Sequence, residues 1–142
     1  MIKEFNYYIA EGEVKKESVN LAKAQLLMNR AKNRLKYIEK QEIDGETAPF
    51  IFEDIYEYIR EAAQALMTLG DYKPLSHVAL ISYLKEFHEF PERYIETFDM
   101  YRKNRNNVVY GVANVIAEEC EETLVFLKEF LAKISEEFDK SK

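Results

Sequence analysis

The apolar residues of this chain recur at spacings of three and four along most of its length, and that rhythm constrains the fold more than any other feature. From residue 14 to about residue 40 they run Leu21, Ala24, Met28, Ala31, Leu35, Ile38. At 3.6 residues per turn these positions form one stripe, so the segment predicts a helix with one buried face. Asp44-Gly45 marks a turn, and Pro49 suits the first turn of a second helix. Its stripe is Phe52, Ile55, Ile59, Ala62, Leu66, Leu69, and Gly70 stands where a helix ends. After a connector at residues 71–74 comes a shorter helix carrying Val78, Ile81, Leu84 and Phe87. Pro91 opens a fourth, with Tyr94, Phe98, Tyr101 and Val108 in phase. The last helix is expected from about residue 112 to residue 138, with Ala113, Ile116, Cys120, Leu124, Leu127, Leu131, Ile134 and Phe138 inside.

No convincing stretch alternates with period two. Residues 51–59 tempt a strand reading, but their three-four spacing continues past them. Four Gly and three Pro leave few places for turns, which favours a few long elements. The expected fold is all-α: an antiparallel up-and-down four-helix bundle with an additional short helix, one domain over residues 1–142. Residues 1–13 lack helical periodicity and read as a leader that docks or frays. The first long helix is expected to begin near Glu17 or Ser18.

The net charge of −6 disfavours non-specific attraction to nucleic acid, so any RNA contact needs a local basic patch. Arg102, Lys103 and Arg105 lie within one helical turn and supply a candidate. Cys120 is the only cysteine, which rules out an intrachain disulfide and fits a reducing cytoplasm. The N-terminal residues interleave acids and lack the pattern of a signal peptide. No apolar run reaches the roughly 20 residues that a membrane helix needs.

The fourth helix departs from a plain bundle. Continued past Tyr94, Phe98 and Tyr101, its apolar stripe meets Arg105 before Val108. A charge on a core-facing stripe is costly unless it is paired or hydrogen-bonded. Arg105 therefore has a partner, opens onto a groove or lies at a subunit interface. A guanidinium stays charged, and its fork matches phosphate. Arg102, Asn106 and Tyr110, four apart each time, share another face. On a regular helix Arg105 and Tyr110 diverge by about 140°. They share a site only if the helix distorts, which Gly111 permits, or if a second subunit supplies one of them. From the residue pattern alone, the simpler reading is that Arg105 snorkels to solvent or pairs with an acid on a neighbouring helix, such as Glu53, Asp54 or Glu57.

Other polar residues carry less. His77 is expected to pack or hydrogen-bond near the start of the third helix, and His88 to be exposed at its end. Glu118, Glu119, Glu121 and Glu122 read as a solvated face and lack the Glu-x-x-His pattern of a di-iron bundle, so no metal site is expected. Tyr7, Tyr8, Tyr56 and Tyr58 are explained by packing. There is no Gly-rich phosphate loop, and two histidines with one cysteine make no convincing nucleophile set.

The string YRKNRNNVVYG, at residues 101–111, resembles the signature of HEPN domains, small helical proteins of prokaryotes that also occur within larger eukaryotic chains. The family motif is an arginine, a polar residue, a short gap and usually a histidine. Arg105 matches the arginine and Asn106 the polar residue, and Tyr110 stands where the histidine usually is. The upstream text from residue 53 to residue 87 is similar to the family's second helix, connector and following helix, with a Ser-His pair at Ser76 and His77. The resemblance spans about residues 14 to 135.

The resemblance implies a homodimer whose two motifs meet in a cleft, often paired with a small nucleotidyltransferase (MNT) antitoxin. It implies metal-independent RNA cleavage in many members, by attack of a ribose 2′-hydroxyl on the adjacent phosphate, and no cofactor. Arg105 would then stabilise phosphate charge, Asn106 would orient the phosphate or the arginine, and Tyr110 would handle protons. Tyrosine titrates near 10 where histidine titrates near 6.5, so a phenol is a poor base at neutral pH. That substitution favours a nucleotide- or RNA-binding module of a toxin–antitoxin or defence-type system, acting with a nucleotidyltransferase and without turnover, with Arg102, Lys103 and Arg105 as binding residues. The alternatives are a metal-independent endoribonuclease using Arg105, Asn106 and Tyr110, and a purely structural dimeric bundle. DNA is not among the expected partners.

Overall fold

The computed structural model describes residues 1–111 and 113–142. In chain order the elements are α1 (Phe5–Ala10), β1 (Val14–Lys16), α2 (Leu21–Ile38), α3 (Ala48–Leu69), β2 (Tyr72–Pro74), α4 (His77–Phe87), α5 (Glu92–Val109) and α6 (Ala117–Ser141). The protein is an all-α helical bundle, as the apolar periodicity predicts, with a two-stranded sheet added. No described helix is long and apolar enough to cross a membrane.

The central helix is α3, which packs against α2, α6, α4 and α5. Its predicted stripe is buried from Phe52 to Leu66 and half-buried at Leu69, and Tyr56, Ala63 and Met67 beside it are buried too. A helix with neighbours on several sides must be apolar around most of its circumference. Pro49 lies in its first turn, where a missing amide hydrogen costs nothing. Before it, the Asp44 carboxylate accepts from the Glu46 and Thr47 amides at 2.8 and 2.9 Å and shapes the turn. One buried acid ties α3 to α2: Glu61 is taken by Arg34 and, at 3.9 Å, by Arg30.

Helices α5 and α6 meet through rings. Tyr94 stacks on Phe130 at 5.7 Å, with the planes 8° apart. Phe98 meets Phe130 edge-on at 5.7 Å, and Tyr101 meets Phe126 edge-on at 5.3 Å. Each fully buried ring of this size contributes roughly 1.5–3 kcal/mol of apolar burial. Offset and edge-to-face pairing adds to that.

The N-terminal expectations need correction. Residues 1–13 contain α1, and they dock rather than fray. Phe5 is buried with its ring 5.2, 5.5 and 5.5 Å from Tyr72, Tyr83 and Phe87. The first long helix does not start at residue 14 or at Glu17 or Ser18. Asn20 caps α2, its side chain accepting from the Lys23 amide at 3.0 Å. Residues Val14–Lys16 instead pair antiparallel with Tyr72–Pro74. Each strand has three residues, too few for alternation to show, and the hydrogen-bonding partner is remote in sequence.

Gly70 ends α3, but not by adopting a left-handed conformation: its φ is −90°, and the positive φ falls on Asp71. Its lack of a side chain matters for another reason. A Cβ there would lie 2.7 Å from Cζ of the Tyr83 ring. The expected start of the last helix, Val112, lies outside the described residues. Ala113, expected in the buried stripe, is exposed, and Ile116 is 54% exposed. Helix α6 begins only at Ala117, where the Glu119 carboxylate accepts from the Ile116 amide at 3.3 Å.

Candidate functional site

Arg105 lies on α5 where that helix crosses α3, and Tyr56, Glu57 and Arg60 line the facing turn of α3. Of the three acids considered from sequence, Glu57 is the partner. Its Oε1 is 3.6 Å from Arg105 Nη2, with the two side chains 33% and 30% exposed. Glu57 is bound more closely elsewhere. Its Oε2 accepts from Arg60 Nε at 3.0 Å and from Arg60 Nη2 at 2.8 Å.

The Arg105 guanidinium is thus incompletely satisfied. Among the described residues none of its five N–H donors makes a hydrogen bond, and Nε is buried without an acceptor. The contact with Glu57 is an ion pair beyond hydrogen-bond distance. The face of the buried Tyr56 ring lies beneath the cation, with 5.8 Å from the guanidinium carbon to the ring centroid. The unpaired donors of a half-buried guanidinium are able to take an oxyanion.

Arg102 and Lys103, expected to form one basic patch with Arg105, share a different acid. Arg102 Nε donates to Asp99 Oδ1 at 2.8 Å, and Lys103 Nζ lies 3.3 Å from Oδ2. Burial works to raise the Asp99 pKa. The hydrogen bond and charge of Arg102, then those of Lys103, outweigh it and hold the carboxyl below its ordinary value. The local balance is three arginines and one lysine against two carboxylates, in a protein of net charge −6.

Two further residues, His77 and Arg60, complete this cluster. His77, the first residue of α4, has its Nδ1 2.8 Å from the Tyr56 hydroxyl. Burial pulls its pKa below the ordinary histidine value, and Arg60 pulls it further. Burial pushes the Tyr56 phenol up, against the pull of Arg102, so the hydroxyl stays protonated. The protonated hydroxyl can donate to Nδ1 or accept from it, as the imidazole tautomer decides. Arg60 gave a weak signal, since it follows Glu57 by three on a helix. His77 was expected to pack or hydrogen-bond at the start of its helix and does so, but its partner Tyr56 is set by the crossing of α3 with α4.

The other motif residues lie apart. Asn106 is half-buried and its side chain makes no hydrogen bond among the described residues. Tyr110 caps the C-terminus of α5 and is 80% exposed. Its side chain has no hydrogen bond, ring contact or cation contact among the described residues. Gly111 breaks the helix, as its position suggested. Its φ is +72°, and its amide donates to the Val108 carbonyl at 3.1 Å. The break does not bring the phenol into contact with the guanidinium.

The second histidine is also a correction. His88, expected to be exposed, has a side chain only 8% exposed, with Nδ1 3.1 Å from Glu137 Oε1 on α6. The acids Glu118, Glu119, Glu121 and Glu122 are exposed, as expected of a solvated face. No family model, curated protein or solved structure matches this chain.

Proposed function

We propose that this protein is a HEPN-like module that binds nucleotide or RNA through phosphate, serving a toxin–antitoxin or defence-type system alongside a nucleotidyltransferase and without turnover. One observation carries the reading: Arg105 is half-buried, aligned over Tyr56, and makes no hydrogen bond among the described residues. A phosphate oxygen supplies what that guanidinium lacks. Arg60 and Arg102 flank it, and they offset the repulsion expected from the acidic whole.

The test is fluorescence anisotropy with a labelled single-stranded oligoribonucleotide and with labelled nucleotide. Arg105→Ala is expected to weaken binding about 10- to 100-fold, the worth of a charge-assisted hydrogen bond or two. Arg102→Ala weakens it less, because that side chain is already engaged by Asp99. The RNA leaves at its original length. Equal binding by wild type and Arg105→Ala, or none by either, refutes the proposal and leaves the structural bundle, for which the Arg105–Glu57 pair is sufficient.

A second reading, a metal-independent endoribonuclease, draws support from the exposure of Tyr110. A phenol 80% exposed at a helix end is free to enter the cleft of a second copy in a homodimer. This reading predicts cleavage that survives EDTA and vanishes in Arg105→Ala, and a gain of cleavage in Tyr110→His. Intact RNA in all three cases eliminates it.

A further inference from the structure

We propose that His77 is the proton-responsive member of the arginine cluster, taking up a proton when a tetrahedral oxyanion docks on Arg105, so that the site holds such an anion more tightly in mild acid than at neutral pH. The inference rests on the oxyanion reading of Arg105 and adds a residue outside the motif.

The geometry links His77 to the site through a single side chain. The Tyr56 hydroxyl is hydrogen-bonded to His77 Nδ1 at 2.8 Å, and the Tyr56 ring face lies beneath the Arg105 guanidinium, with 5.8 Å from the guanidinium carbon to the ring centroid. The groups acting on His77 are Arg60 and Glu57 from α3 and Arg105 and Arg102 from α5. Helix α1 and strand β2, which also pack against α4, contribute none among the described residues. Three positive charges and one negative act on the imidazole. In the empty site they oppose its protonation, and burial adds to that. A bound oxyanion brings negative charge to these same arginines, removes much of the opposition, and raises the affinity of His77 for a proton.

The direction follows from linkage. If anion binding raises the pKa of His77, anion affinity must rise as pH falls through the range between the free and bound pKa values. In the protonated imidazolium Nδ1 carries a hydrogen, and the Tyr56 oxygen accepts from it. No covalent step is involved. Proton and anion enter together and leave together.

Inorganic sulfate is the probe, because it keeps its charge across the range and titrates nothing itself. The chain has two histidines, so the ring proton signals are few, and His77→Gln assigns them. The His77 midpoint is expected below that of an ordinary histidine without sulfate, and higher by about half a unit to one unit at saturation. Sulfate affinity should then rise about three- to tenfold between pH 7.5 and 5.5 through this group. His77→Gln should bind sulfate without that gain. Glu57→Gln should retain the gain, which separates the imidazole from the carboxylate. Competition by adenosine 5′-monophosphate or by a dinucleoside monophosphate supports the oxyanion site, and the stronger competitor tells a terminal phosphate from a chain phosphate. Competition by neither overturns it. A His77 midpoint unmoved by sulfate, while Arg105→Ala still abolishes sulfate binding, overturns the role of His77 and spares the site. Sulfate binding insensitive to Arg105→Ala, or absent, overturns both.

Discussion

Glu57 is the internal competitor for any anion that Arg105 binds, and Glu57→Gln isolates that competition. At 3.6 Å the unscreened attraction between Glu57 and Arg105 is about 4.6 kcal/mol at an effective dielectric of about 20. Both side chains are about one-third exposed, so water, salt and side-chain entropy reduce the net value to about 1 kcal/mol. An anion docking on Arg105 must displace this interaction. Removing the carboxylate's charge therefore raises anion affinity about fivefold, and loss of its direct repulsion extends the gain to about tenfold. Arg60 keeps its hydrogen bond to Gln64 and loses only the charge assistance of its two bonds to Glu57. Stability should fall by about 0.5–1.5 kcal/mol, a cost separable from the gain in binding. Calorimetric titration with a short oligoribonucleotide at fixed ionic strength measures the affinity, and urea unfolding measures the stability. Unchanged or weaker binding by folded Glu57→Gln would refute the reasoning, because Glu57 would then be orienting the arginines rather than occupying them.

Three further outcomes follow from the packing. Burial works to raise the Glu137 pKa, but the Glu89 amide, His88 and Lys140 outweigh it and hold the carboxyl below its ordinary value. A depressed folded pKa means that this stabilisation is present above the unfolded value and is lost as pH falls through the folded one. Glu137→Gln should thus flatten the acid side of a stability–pH curve below about pH 4.5, as urea unfolding would reveal. Gly70→Ala gains about 0.4–1 kcal/mol from a less flexible unfolded chain but costs about 1–3 kcal/mol by pressing on the Tyr83 ring, so it should destabilise. A thermal melt of the single variant beside Gly70→Ala/Tyr83→Leu tests this, since the smaller side chain removes the clash and should shrink the penalty. The buried Cys120 thiol, its pKa pushed up to about 11 by burial, should resist an aromatic disulfide reagent at pH 8 until denaturant is added. Rapid native labelling would contradict that placement.

The helices were legible in the amino-acid sequence because burial of one face writes a local period. Phe52 through Leu66 on α3, and Cys120 through Phe138 on α6, declare themselves by spacing alone. So did the break at Gly111, and so did the misfit of Arg105 on an apolar stripe. Short strands leave no such trace. Pairing of β1 with β2 depends on backbone hydrogen bonds between residues distant in the chain, and three residues hold no recognisable period. The docking of α1 depends on a pocket of rings from β2 and α4 that exists only once the bundle has formed. For the candidate site, sequence proposed the cation and offered three possible acids. The crossing of α3 with α5 selected Glu57, and the crossing with α4 added His77 through Tyr56. A guanidinium reveals its anomaly by its place in a helical stripe. Its surroundings are set by interhelical geometry, which no local pattern encodes.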